Sequence, residues 1–364
     1  MAWYKRAGVS VALLGVCIVL ELTFHLIVPD TAYRNLIQLA LVNVVVALSL
    51  NVINGMAGQF SIGHAGFIGV GAYTAAIIAS NIHKSLGERA ETFQNSFLVM
   101  PPAIIAAALV AGAFGFLVGL PSLRLKGDYL AIVTLGFAEI FRLVIMTSPP
   151  GVETGGIRAT IGQLGGPQGY SGPDRYGVAQ YAGPFWLFGG VIVATIIAWR
   201  LKFCGWGRAL RALREDEIAA AAVGVDPTRY KVTSFVIAAM GAGVAGAMWA
   251  CMRDGNPSVQ PDQFNFALSF DAITMVILGG SGSVSGAIMG GLFVTITVKM
   301  IEQLQRLDVI EAWKVQHPDF DLNALRMVVY AVVLIILMIM RPAGVFGENE
   351  VTRFRKREPA QAKA

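Results

Sequence analysis

A handful of ionisable side chains interrupt long apolar runs in this sequence, and a charge at bilayer depth is costly enough to need a pairing or transport role. Glu21 has His25 four residues on, Glu139 has Arg142 three residues on, and Asp271 enters the eighth span. At those spacings each pair shares a helix face and can neutralise itself, yet a coupling carboxylate for protons or ions reads equally well from the same residues. His64, close to Ser61, is a single imidazole with no second ligand in view; both a packed, hydrogen-bonded histidine and a pore-lining or gating group fit it. Enzyme chemistry does not assemble. HExxH and GxSxG are absent, and the four histidines, at 25, 64, 83 and 317, fall on different elements, so no metal centre is expected. Cys17, Cys204 and Cys251 lack ligand spacing and read as packing residues.

Those charges sit among apolar stretches long enough to cross a bilayer. Of 364 residues, 55% are hydrophobic and 14% charged, which places the chain among polytopic membrane proteins rather than soluble ones. A crossing helix needs about 20 residues. Spans are expected at 7–28, 33–54, 59–82, 97–120, 128–147, 184–201, 232–252, 266–279, 284–301 and 324–340, about ten in all, forming an all-α bundle. The first is too long for a signal-peptide core and has no cleavage site, so it counts as a span. The net charge of +5 does not point to nucleic acid, because Lys5, Arg6, Arg124, Lys126, Arg200, Lys202, Arg208, Arg211, Arg214, Arg341 and Arg353 gather at span ends and in short loops. By the positive-inside rule that side is cytosolic, with both termini on it.

The apolar pattern breaks in three places. In GQFSIGHAGFIGVGAY the small residues Ser61, Gly63, Gly66 and Gly69 share the third span with His64; in MVILGGSGSVSGAIMGG the residues Gly279, Gly280, Ser281, Gly282, Ser283 and Gly286 interrupt the eighth and ninth. Close helix packing explains part of this. Matching breaks in two five-span halves, 1–147 and 184–341, also predict inverted repeats with broken helices along a substrate path. The second stretch is no phosphate loop, since no GK dipeptide occurs in the chain, and any ATP must be bound elsewhere. Residues 207–225, GRALRALREDEIAAAAVGV, form the third break: a solvated helix with Arg211/Glu215 and Arg214/Glu217 side by side, Gly224 as C-cap, then Asp226 and Pro227 opening a second short helix. A helical hairpin over 202–231 between two spans is a docking surface for a soluble partner. Residues 148–183 read as an external loop, either a plain surface connection or a lid, and 342–364 as a cytosolic tail.

Together, SIGHAGFIGVGAY, GDYLAIVTLGF, GRALRALREDEIAAAAVG and ILGGSGSVSG resemble the LivM-type permeases of branched-chain amino-acid ABC importers, over roughly residues 37–344. The resemblance implies a bacterial inner-membrane complex of this chain with a second homologous permease of the LivH type, two cytosolic ATP-binding subunits that hold ATP and Mg, and an extracytoplasmic binding protein. It implies no cofactor in this chain. It also implies that the segment matching 207–224 is the coupling region, with Arg208, Arg211, Arg214, Glu217, Ala220 and Gly224 at the motor contact. Relatives of the family handle urea, short amides and aromatic acids, so a branched-chain amino acid is the default cargo. The rival reading is a secondary transporter driven by a proton or ion gradient through Glu21, Glu139 or Asp271.

Overall fold

The computed structural model describes residues 15–24, 26–86, 91–122, 128–148, 164–172 and 177–305, with the single positions 332, 335, 339 and 350. Helices account for nearly every element, and no extended strand occurs among the described residues. In chain order they are α1 (Gly15–Phe24), α2 (Thr31–Asn51), α3 (His64–Ser85), α4 (Phe93–Ser122), α5 (Asp128–Met146), α6 (Pro184–Phe203), α7 (Gly205–Glu215), α8 (Glu217–Ala222), α9 (Pro227–Ala250), α10 (Phe266–Gly279) and α11 (Val284–Gln305). Among the described residues six segments are long and apolar enough to cross a membrane: Thr31–Met56, His64–Ser85, Phe93–Pro121, Tyr129–Met146, Pro184–Phe203 and Pro227–Ala250. The span expected at 324–340 and the His25 partner of Glu21 lie outside the described residues.

The centre of the bundle is built from small side chains. Ala238, Ala239, Ala242, Ala245 and Ala247 of α9 are fully buried, and α9 packs on α3 and α4. A β-carbon on Gly71 would sit 2.4 Å from the Gly243 backbone, and one on Gly246 would sit 2.1 Å from the Ile68 carbonyl. In lipid, where apolar burial gives helices no reason to associate, such close backbone approach supplies the contact energy. By contrast α5 and α6 lie at the edge and leave Ile132, Ile140, Leu143, Val193 and Ile197 uncovered, as expected of surfaces that meet hydrocarbon or another membrane chain.

Two elements depart from the sequence expectation. The third span does not start at residue 59. After α2 a π-helical turn, Val52–Met56, runs into irregular backbone, with Gly58 at φ +67, and α3 begins only at His64. This irregular backbone is satisfied by side chains: Ser61 N–H donates to Asn54 Oδ1 at 3.2 Å, Ile62 N–H to Thr134 Oγ1 at 3.1 Å, and Ala65 N–H to Ser269 Oγ at 3.1 Å. Non-helical backbone at depth survives only where protein covers it. The eighth span is a partial crossing, since the 14 residues of α10 cover about 21 Å at 1.5 Å each. Before it the chain re-enters the bundle, and Phe264 is buried against Tyr73 and Trp249.

At one end of the bundle, polar side chains tie the helices together. Arg253 pairs with Glu21 at 2.7 Å, Arg34 with Asp254 at 3.4 Å, and His83 meets the Tyr181 hydroxyl at 2.7 Å. The described part of the 148–183 loop is folded onto this end: Tyr170 and Val259 exchange backbone hydrogen bonds of 2.9 Å, and Ala182 N–H donates to the Cys251 carbonyl at 2.7 Å. Tyr170, Val178 and Tyr181 are buried there, so this part is packed structure, not a free surface loop.

Candidate functional site

The opposite end carries the hairpin. Leu210 and Leu213 of α7 are buried, Gly207 lies against the Leu201 carbonyl, and Trp206 stacks on Tyr230 with ring centroids 6.3 Å apart, so α7 is pinned to the ends of α6 and α9. The single helix expected across 207–225 breaks at Asp216. Its backbone is extended (φ −152, ψ 112), and its carboxylate caps α8 by accepting from Ile218 and Ala219 N–H. Asp, like other N-cap residues, competes for the backbone better at a helix start than inside a helix. Arg214 and Glu217 therefore part. Glu217 pairs with Lys231 at 2.6 Å, across to the first turn of α9. The expected second short helix is that first turn itself, with Asp226 as N-cap and Pro227 in the first turn of a helix that continues to Ala250. Gly224, at φ +91, occupies the left-handed region expected of a C-cap glycine.

Of the residues matched to a coupling role, Arg208 and Gly224 are exposed and Ala220 is buried in the hairpin. Arg211 turns back to the Gly207 and Lys202 carbonyls, at 3.4 and 3.3 Å. Arg214 reaches inward and donates to the Gly55 carbonyl at 2.7 Å, with its methylenes against Gly58, which sits at φ +67. The outer surface of the tip is instead apolar: Ile218 is 83% and Val223 79% exposed. Because Glu217 is partly exposed, its ion pair contributes about 1 kcal/mol or less. We expect Glu217→Lys to lower uptake only a few-fold, measured as initial rate in vesicles.

Beside Gly55 lies the second glycine break. α10 ends at Gly279, and α11 begins at Val284 after a turn in which Gly280 and Gly282 take φ +116 and +86. Across the turn Gly279 and Gly286 face each other, a β-carbon on either falling 2.0 to 2.3 Å from the other's carbonyl oxygen. Asn51, fully buried at the end of α2, accepts from Gly282 N–H at 2.8 Å and donates to the Ser283 carbonyl at 3.1 Å. Ser281 is half-buried and Ser283 buried. The turn thus touches the π-turn of α2, which touches Arg214 of the hairpin.

The first glycine stretch lies deeper. Gly63 abuts the Thr134 carbonyl, Gly66 abuts Ala138, and Gly69 abuts Phe141 and Phe264. Gly66 and Gly69 therefore make close crossings within an unbroken helix, and the interruption comes before α3. His64 is buried, with Nε2 2.8 Å from Ser49 Oγ; since the Ser49 hydroxyl donates to the Val46 carbonyl, the imidazole donates through Nε2. His64 Nδ1 and Ser61 Oγ have no hydrogen-bond partner among the described residues.

The intramembrane charges are resolved mostly as pairs. Arg142 binds Glu139 at 2.9 Å and also Asp262 at 3.1 Å. Glu21 pairs with Arg253 and accepts from Phe185 N–H at 2.9 Å. Asp271 is half-buried on α10. No group of three or more His, Cys, Asp or Glu able to hold a metal occurs among the described residues. A cavity of about 610 Å³ between α2, α4, α6 and α9 is lined by side chains such as Leu48, Val193, Ile197, Met240 and Met248; among the described residues its lining carries none of the opposed charges that an amino-acid zwitterion requires.

Sequence reasoning missed Asn51, Ile218, Val223 and Glu350, and read Lys202 only as one of the cytosolic-side charges. Glu350, 1% exposed, pairs with Lys202 at the end of α6 and accepts hydrogen bonds at the start of α11. Burial alone would raise its pKa; the hydrogen bonds from Lys202, Ser285 and the Val284 and Ser285 N–H groups outweigh that and hold it below the usual glutamate value. An asparagine late in an apolar helix was the one legible signal among the four missed.

The sequence profile of the family described as "Branched-chain amino acid transport system / permease component" matches residues 32–338. The chain is 32% identical over 326 residues to the high-affinity branched-chain amino acid transport system permease protein LivM of Salmonella typhimurium, covering 84% of this chain and 68% of the relative. The LivM protein of Escherichia coli gives the same identity and coverage. A LivH permease of Salmonella typhimurium is 23% identical over 85% of this chain and 92% of its own length. No solved structure matches the chain. A profile match over most of the chain, on an all-helical bundle with membrane-length spans, places the protein in the family of permease components of branched-chain amino-acid transport systems.

Proposed function

We propose that this permease forms half of a translocation pathway with a LivH-type partner, in the inner membrane of a bacterium, and that the α7–α8 hairpin seats in a groove of a cytosolic ATPase subunit. The carrying observation is the contrast between tip and root. Ile218 and Val223 stand almost fully exposed at the tip, while Arg214 at the root is bonded to the π-turn beside the Gly280–Ser283 turn. Exposed aliphatic side chains on an otherwise charged hairpin call for a protein partner, and the inward-turned arginines give push or pull on the hairpin a rigid path to the broken helices.

Arg200, Lys202, Arg208, Arg211, Arg214, Arg229 and Lys231 cluster at the hairpin end, which supports a cytosolic assignment for it. On that topology the bundle has about ten spans in inverted halves, 1–147 and 184–341, with both termini and the 342–364 tail in the cytosol. ATP and Mg belong to the paired ATPase subunits, and an extracytoplasmic binding protein delivers cargo to the other end. The relatives' names favour a branched-chain amino acid over urea, amides or aromatic acids. A gradient-driven mechanism has less to work with, because Glu21 and Glu139 are both occupied by arginine. The test is Ile218→Asp: a charge at the tip should leave the chain in the membrane but abolish co-purification of the ATPase and ATP-dependent uptake. Normal association would remove the tip from the interface.

A further inference from the structure

Glu350 lies 66 residues beyond the start of α11, in the segment read from sequence only as a tail, yet it is buried at a junction of two elements. Its Oε1 accepts from Lys202 Nζ at 2.5 Å and from Val284 N–H at 2.9 Å; its Oε2 accepts from Ser285 N–H at 3.0 Å, Ser285 Oγ at 2.7 Å and Ser283 Oγ at 3.4 Å. A carboxylate in that position satisfies two N–H groups that a helix start leaves open and meets the positive end of the helix dipole. Lys202 is 5% exposed and stands three residues before α7. One side chain thus binds both the root of the hairpin and the first turn of α11, directly after the Gly280–Ser283 turn.

We propose that Glu350 is a positioning residue for transport, a tie through which displacement of the hairpin root is passed to α11, separate from the Arg214 contact and from any contact with the ATPase. The proposal rests on the hairpin being the ATPase-docking element. Hydrogen-bonded, water-excluded ion pairs keep their geometry far better than exposed ones, so a shift of Lys202 carries α11 with it. Gly282 and Ser283 are held from the other side by Asn51, so the turn is gripped at two points, and motion at one of them bends it.

The experiment uses the full chain assembled with its sister permease and ATPase subunits in lipid vesicles. Lys202→Met/Glu350→Gln removes both charges together, so that neither is left buried and unpaired. Each variant also carries Ala222→Cys, at an exposed position beside the tip, for crosslinking to the ATPase, and the readout is amino acid transported per ATP hydrolysed. With the tie in place as proposed, the double variant crosslinks like its parent but its transport ratio falls about tenfold, while Lys202→Arg stays near the parent. A parental ratio in the double variant overturns the tie and leaves the docking reading standing. Failure of the parent itself to crosslink overturns docking, and the tie with it. If the double variant does not assemble, Ser285→Ala, which deletes a single donor to Glu350, decides the point: a drop of about threefold supports the tie, and an unchanged ratio overturns it.

Discussion

Gly286→Leu is expected to abolish uptake. At this crossing a β-carbon would lie 2.3 Å from the Gly279 carbonyl oxygen and 2.8 Å from its carbon, and both are backbone atoms that no rotamer change can move aside. A leucine must push α10 and α11 apart, and overpacking of a tight contact costs about 1–3 kcal/mol or more even in cores that can adjust. This crossing adjusts poorly, because Asn51 fixes the turn between the two helices and Gly290 abuts the Met275 carbonyl one turn further on. Uptake in vesicles, normalised to chain present in the membrane, is the measurement. Gly136→Ala on α5 is the control, since nothing lies within 4 Å of its β-carbon, and it should transport normally.

Asn51→Leu should be nearly as damaging, for a different reason. The two side chains share branching and heavy-atom count, although leucine is the bulkier and cannot hydrogen-bond. What disappears are the 2.8 and 3.1 Å hydrogen bonds to Gly282 N–H and the Ser283 carbonyl. The buried Gly282 N–H is left unpaired, at a cost of about 1–3 kcal/mol, while the Ser283 carbonyl keeps only its bond from Ala287 N–H at 3.1 Å, and the loss is enough to loosen the turn from α2. The expected result is a chain that still inserts but unfolds at a clearly lower temperature in detergent, with uptake reduced at least about tenfold. Asn51→Asp, which keeps the acceptor for Gly282 N–H but loses the donor, should fall between. Wild-type uptake in Asn51→Leu would show that the turn does not depend on α2.

Much of the architecture was legible from local chemistry. Asp226 followed by Pro227 announces a helix start, Gly224 announces a helix end, and apolar runs of about 20 residues announce spans, because each feature depends on residues within one or two turns. The same logic fails where two local preferences compete. The run at 207–225 has helix formers throughout, and only the cap formed by Asp216 splits it; the glycines at 66 and 69 read as breaks, yet α3 passes through them, because protein packed on both sides holds the helix straight. The pairing of charges was partly legible. Glu139 found Arg142 at i, i+3, as spacing predicts, whereas Glu21 found Arg253, 232 residues away.

The sequence by itself determined that this is a helical membrane chain, that a charged hairpin interrupts it near residue 215, and that its relatives are amino-acid permeases, since composition, capping and motif similarity are properties of short stretches. Only the tertiary structure decided which side of the hairpin faces out. It turned Arg211 and Arg214 inward, left Ile218 and Val223 bare, and brought Asn51, Gly282, Lys202 and Glu350 to one junction. Side chains this far apart in the chain meet only after the helices have packed, and buried polar groups settle on whichever partner then lies within hydrogen-bond reach.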